Sequence, residues 1–110
     1  MNIKQLSKTT PVSTNHSFGM KQVLLKKEET DTNITQIAIT RLNKGETIEY
    51  HTHPTMEEFF LVRKGKIQIK TENDREICEV DDFVIIKQNT CHAIEAITDC
   101  EIMTIGASTN

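Results

Sequence analysis

Residues 45–65 read GETIEYHTHPTMEEFFLVRKG, and this stretch decides the fold. Glycine opens and closes it. Between the glycines lie two β-rich runs, Thr47 to His51 and Phe59 to Val62, separated by Pro54-Thr55-Met56. Proline has no N–H to give a ladder, so it interrupts pairing and lets the chain turn back. A strand, a break and a returning strand describe antiparallel β-structure. The same period of two recurs on both sides. Val23/Leu25, Ile37/Ile39, Phe60/Val62, Ile67/Ile69, Val84/Ile86 and Met103/Ile105 alternate with polar or outward-facing neighbours, and β-branched residues dominate. Turn clusters punctuate the runs at Thr30 to Asn33, Asn43 to Gly45, Glu72 to Arg75 and Gln88 to Thr90. The only helical signal is a short turn near Ile3 to Ser7. Eight or more short strands at near-regular spacing predict an all-β sandwich or barrel. Residues 1–20, polar and interrupted by Pro11, read as an N-terminal arm, and residues 21–110 as the barrel domain.

Length and charge narrow the functions. A chain of 110 residues supports one domain with one modest core, so any chemistry must sit inside that fold. Thirteen basic residues are scattered among sixteen acidic ones, without the clustered Lys and Arg of a nucleic-acid footprint. No uninterrupted apolar run exceeds four residues, as in Phe83 to Ile86, far short of a membrane span. The polar start, Met1 to Thr10, lacks the apolar segment of a signal peptide. Cys78, Cys91 and Cys100 are odd in number and lack paired spacing, as expected for reduced thiols of a cytoplasmic protein. Nucleic acid and membrane are therefore set aside as partners.

The chemistry-bearing residues lie in the opening stretch and one turn beyond it. His51 and His53 are two apart on a strand, so their imidazoles share a face with Cα atoms about 7 Å apart. Alone the pair is weak evidence; its neighbours strengthen it. Glu58 follows directly before the apolar run, and an antiparallel return there carries a carboxylate toward the two rings. Glu57 competes for that role, but Glu58 shares parity with the core-like Phe60 and Val62. His92 heads the run Ala93 to Ile97 after a turn at Asn89. His16, in the polar arm without a visible partner, is set aside. Three imidazoles and a carboxylate suit one divalent transition metal (Fe, Mn, Ni, Co or Zn) and leave about two coordination positions open.

The spacing also resembles a known family. Gly45, five residues, His51-x-His53, four residues, Glu58, six residues and Gly65 resemble the first motif of the cupin superfamily. Fifteen residues later, Asp81 to His92 resembles the second motif, with His92 in the ligand place. Asp81 stands where that motif has glycine, Lys87 where it has proline, Asn89 where it has the turn glycine and Ala96 where it has a closing asparagine. Asn tolerates the left-handed backbone conformation such a turn requires. The resemblance implies a double-stranded β-helix, the cupin or jelly-roll β-barrel, with His51, His53, Glu58 and His92 as ligands and a homodimeric assembly. It stops short of a reaction, but a metal held by these residues points to a metal-dependent isomerase, lyase or dioxygenase acting on a small polar molecule. The alternative is a non-catalytic, metal-assisted pocket for a small sugar or acid.

Strand parity nominates Glu49, on the His51/His53 face, as the spare acid or base, whereas Tyr50 should face away. Cys91 reads as a small filler beside His92. Phe59, Phe60 and Phe83 read as barrel core rather than a stacking wall for substrate. With one Tyr and no Trp, the pocket suits a small polar ligand better than a large planar one.

Overall fold

A computed structural model describes residues 1–110. Ten strands follow in chain order: β1 (Val12–Ser13), β2 (Met20–Lys26), β3 (Ile34–Leu42), β4 (Thr47–His51), β5 (Met56–Lys64), β6 (Ile67–Thr71), β7 (Arg75–Cys78), β8 (Phe83–Ile86), β9 (His92–Ala96) and β10 (Cys100–Ser108). The only helical pieces are two 3₁₀ turns, Leu6–Lys8 and Lys27–Glu29. The strands form two antiparallel sheets, a six-stranded one in the order β1-β2-β3-β10-β5-β8 and a four-stranded one in the order β4-β9-β6-β7. Neighbours such as β3 and β10 are distant in sequence, which is the double-stranded β-helix that the motif spacing predicts. No helix is long and apolar enough to cross a membrane.

The core lies between the sheets. Leu42, Phe60, Val62, Ile86 and Ile102 from the larger sheet meet Ile48, Ile67, Ile69, Ile94 and Ala96 from the smaller one. Each fully buried side chain of this kind contributes about 1.5–3 kcal/mol through removal of apolar surface from water.

Two strands reverse the simple alternation rule. On β3 and β10 the cavity-facing residues are Gln36, Thr40, Thr104 and Gly106. The apolar Ile37, Ile39, Met103 and Ile105 alternate with these, and the register pairs Ile39 with Met103 and Ile37 with Ile105 on the opposite face. The inside of the barrel is polar at this end because it is a pocket wall, so apolar parity there marks the outer face of the sheet, on which Ile39 is itself fully buried. A register shift between Val23 and Leu25 likewise splits that pair between faces. Phe83 corrects the sequence reading in the same way. It is 54% exposed and stacks on Phe59 on the outer face, with ring centroids 6.1 Å apart. Only Phe60 of the three phenylalanines is core.

Turn chemistry explains the departures from the glycine pattern. Asp81 and Asn89 both adopt positive φ, 76° and 64°, so both occupy a conformation that glycine usually supplies. Gly65 is irreplaceable on other grounds as well: its φ is 77°, and a Cβ there would collide with the Asp99 carbonyl.

The arm is tied to its own sheet. Val12 and Ser13 pair with Lys21 and Met20. The Gln22 amide donates to the carbonyls of Leu6 (2.9 Å) and Thr9 (2.8 Å), which lays the first 3₁₀ turn against β2. At the end of β10 the buried Glu101 carboxylate is met by Arg41 at 2.8 Å, Arg63 at 3.4 Å and Lys64 at 3.9 Å.

Candidate metal centre

His51 ends β4 and sits opposite His92, the first residue of the paired strand β9. His53 lies in the loop beyond β4. The Asn89 N–H donates to the His53 carbonyl (2.9 Å), tying that loop to the turn before His92. Glu58, on β5, enters from the other sheet with the inward parity of Phe60 and Val62. One donor atom from each of these four residues lies within 4.8 Å of the others. Glu57 points the other way and pairs with Lys87 at 3.3 Å, so parity chooses the right carboxylate for the cluster.

The hydrogen bonds determine what these donors can hold. The Nδ1 atoms of His51 and His92 each sit 2.8 Å from a backbone carbonyl, of Glu49 and Thr90 respectively. A carbonyl only accepts, so in each ring Nδ1 carries the proton and Nε2 of the neutral imidazole presents a bare lone pair. Both Nε2 atoms face Glu58 Oε1, from His92 at 3.1 Å and from His51 at 3.7 Å. His53 Nε2 is buried without a hydrogen-bond partner, although Glu58 Oε1 is 2.8 Å away. That contact has the distance of a hydrogen bond but not its direction. Lone pairs and a carboxylate thus converge with nothing positive between them. Protons or a cation must supply the balance.

Titration behaviour shows the same competition. Burial alone would raise Glu58, but once the rings take up protons the imidazoliums of His51, His92 and His53 hold it at about 2. The facing Glu58 carboxylate raises His51, against the cost of its burial. Burial depresses His53 below the usual imidazole range.

His51, His53 and Glu58 form one wall of a cavity of about 300 Å³, at the small end of ligand pockets, and the fully buried His92 completes the cluster outside that lining. Thr35, Gln36, Thr40 and Thr104 supply polar atoms to the other walls, with Ile48, Phe60 and Ile94 at the apolar base. Two titratable lining residues escaped the sequence reading. His16 arrives from the loop after β1; its Nδ1 is 3.2 Å from Glu49 Oε1, and its ring centroid is 4.6 Å from that of His51. It therefore has partners, contrary to expectation, and no local pattern announces them. Lys21 was legible: it sits two residues before Val23, on the same face of β2, where a charge is out of place unless a pocket lies there.

Glu49 differs from its parity-based placement. A register shift between Ile48 and His51 turns Ile48 inward to pair with Ile94, and leaves Glu49 with a 53%-exposed side chain outside the cavity wall. Tyr50 is exposed, as expected. Cys91 is half-buried beside His92, and all three thiols are free.

Fold and site together define a small jelly-roll barrel with a histidine-glutamate cluster at one end of its interior. The chain belongs to the cupin domain family, whose model matches residues 38–106. Among solved structures, a predicted oxalate decarboxylase from Thermotoga maritima superposes with a TM-score of 0.88 at 21% identity, over 97% of this chain and 99% of that one. Ectoine synthase from P. lautus gives 0.85 at 12% identity, over 97% of this chain and 78% of that one. A polyketide cyclase from Streptomyces resistomycificus gives 0.84 at 9% identity, over 100% and 80%. At these identities the likeness is one of fold. No curated protein matches the chain.

Proposed function

We propose that the protein is a metal-dependent cupin enzyme acting on a small polar molecule, with His51, His53, Glu58 and His92 holding one divalent transition metal. The observation that carries this reading is the commitment of the His51 and His92 Nδ1 protons to carbonyls, which leaves Nε2 lone pairs aimed at the Glu58 carboxylate beside the orphaned His53 Nε2. Such outer-shell carbonyls are what fix ligand imidazoles in metal sites. Fe, Mn, Ni, Co and Zn all suit an N/O donor set of this kind. A bound metal supplies Lewis acidity to an oxygen of the substrate. The chain's own residues orient the substrate against the Thr-lined wall and exclude bulk water through the apolar base. Structural relatives with this fold carry names as different as predicted oxalate decarboxylase, ectoine synthase and polyketide cyclase, so an isomerase, lyase or dioxygenase reaction all fall within the proposal. In this reading Glu49 serves proton transfer through His16, whose ring it holds at the cavity wall.

Elemental analysis of the purified, tag-free protein tests the centre. About one transition metal per chain, absent from His51→Ala, supports it. A protein that stays empty after exposure to Fe(II), Mn(II) and Zn(II) refutes it. The homodimer and the cytoplasmic location belong to the same proposal. Phe83 and Ile85, 54% and 57% exposed on β8 beside Phe59, offer an apolar strip that a second copy would cover. Sedimentation of Phe83→Ser and Ile85→Ser variants as monomers beside a dimeric wild type would support that contact.

A further inference from the structure

The cavity contains one cation that the metal centre does not use. Lys21 is half-buried on β2, and its side chain lines the cavity together with Thr35, Gln36 and Thr40. Its ammonium has three donors, and the one partner it meets is the neutral Gln36 Oε1 at 3.3 Å. The chain's other half-buried lysines are treated differently. Lys66 holds Glu79 at 3.2 Å, and Lys70 holds Glu95 at 2.8 Å. Lys21 has no carboxylate within reach of an ion pair.

The cavity walls offer no anion to fill that role. Glu58 is the single acidic residue lining the cavity, and its carboxylate is engaged by the three imidazoles. A divalent ion in the cluster would then leave the cavity with a net positive charge from ion and lysine together. A half-enclosed space of low dielectric magnifies that imbalance, and the complementary ligand is an anion. The surrounding hydroxyls and amide suit carboxylate or hydroxyl oxygens, and the modest volume favours a few heavy atoms.

We propose that Lys21 is the anion anchor of this cavity, so that the ligand is a small carboxylic acid carrying a second oxygen function for the histidine-glutamate cluster. The proposal rests on the metal-centre reading for the second contact, while the anchor itself rests on the placement of Lys21.

Succinate and acetate serve as probes. Succinate can place one carboxylate at each contact, whereas acetate can make only one. Amide NMR titrations on Zn(II)-loaded wild type, Lys21→Met and Lys21→Arg read the affinities, with zinc content and Tm measured on the same samples. Wild type is expected to bind succinate about tenfold more tightly than acetate, the worth of one charge-assisted contact. Lys21→Met keeps the aliphatic stem and should bind both acids alike, and Lys21→Arg should restore the preference. Zinc content and Tm should not change. Equal succinate affinity in wild type and Lys21→Met overturns the anchor, as does a wild type without preference for succinate. If the chain takes up no zinc, the metal reading has failed. The same titration on the metal-free chain then decides the anchor alone. Succinate shifts at Gln36 and Thr40 that vanish in Lys21→Met sustain it, and shifts equal in the two proteins remove it.

Discussion

Two glutamates of this barrel, Glu101 buried and Glu58 largely so, keep company that could hardly differ more. The Glu101 side chain, 5% exposed, is surrounded by Arg41, Arg63 and Lys64, whose charges are permanent at any physiological pH. The Glu58 side chain, 17% exposed, is surrounded by three imidazoles whose charges are optional, two of them with their protons already committed elsewhere. The first cluster is complete as it stands. The second is balanced only by added protons or an added cation. A buried carboxylate among fixed cations is structural; a buried carboxylate among lone pairs is a site.

The sharpest way to test that contrast is to remove a lone pair. His51→Ala or His92→Ala should reduce bound metal from about one per chain to less than a tenth, read by elemental analysis. Both should also lose the metal-dependent gain in stability, about 4 kcal/mol when free metal exceeds Kd a thousandfold. Thermal melts with and without a chelator measure this gain. A melt insensitive to chelator in the wild type would put Glu58 in the same structural category as Glu101.

Acid comes next in size. In the metal-free chain Glu58 is held at about 2 against an ordinary 4.5, so its contribution is present above 4.5 and is lost as pH falls toward 2. The shift corresponds to at most about 3 kcal/mol. His51 is raised above 6.5, so its contribution is full below that value and is lost as pH rises through the higher, folded-state one. Glu58 and His51 should therefore stabilise the metal-free fold together between about 4.5 and 6.5, while His53, lowered by burial, subtracts from that gain as it is forced to charge at the acid side of the window. Urea midpoints measured across pH should show that gain, and Glu58→Gln should flatten it.

Glu101→Gln should cost about 2 kcal/mol, because it leaves partial burial without charge balance while Arg41 and Arg63 relax toward solvent. Tm should fall by about 10 °C with metal content unchanged. Loss of metal in this variant would show that the two clusters are coupled through β10 and β5.

Legibility followed the same division. The motif from Gly45 to Gly65 specified strand, break and return, and the side chains of His51, His53, Glu58 and His92 converge in space. Asn89 was readable because few residue types tolerate its φ of 64°. Parity failed where the barrel departs from a uniform apolar interior. The polar wall inverts β3 and β10, and irregular pairing moves Glu49 outward and Ile48 inward. His16 was invisible because its partners come from a tertiary contact between the arm and β4. Alternation reports which residues share a face. It cannot report whether that face is oil or water.

The smallest expected effect discriminates best between neighbours in sequence. Glu57 and Glu58 differ by one position and by a half-turn of the strand: Glu57 meets the exposed Lys87 at 3.3 Å, and Glu58 meets the imidazoles. A surface pair of that kind contributes about 0–1 kcal/mol, because solvent screens it and two mobile side chains must be held. Glu57→Gln should therefore change the unfolding free energy read from urea melts by less than about 0.5 kcal/mol and leave metal content at the wild-type value. Glu58→Gln, with the same change in atoms, should lose metal, since a neutral amide cannot balance a dication among three imidazoles. If the two variants behaved alike, the facing of β5 would not be what selects the ligand, and the contrast between an outward and an inward carboxylate would have to be drawn elsewhere.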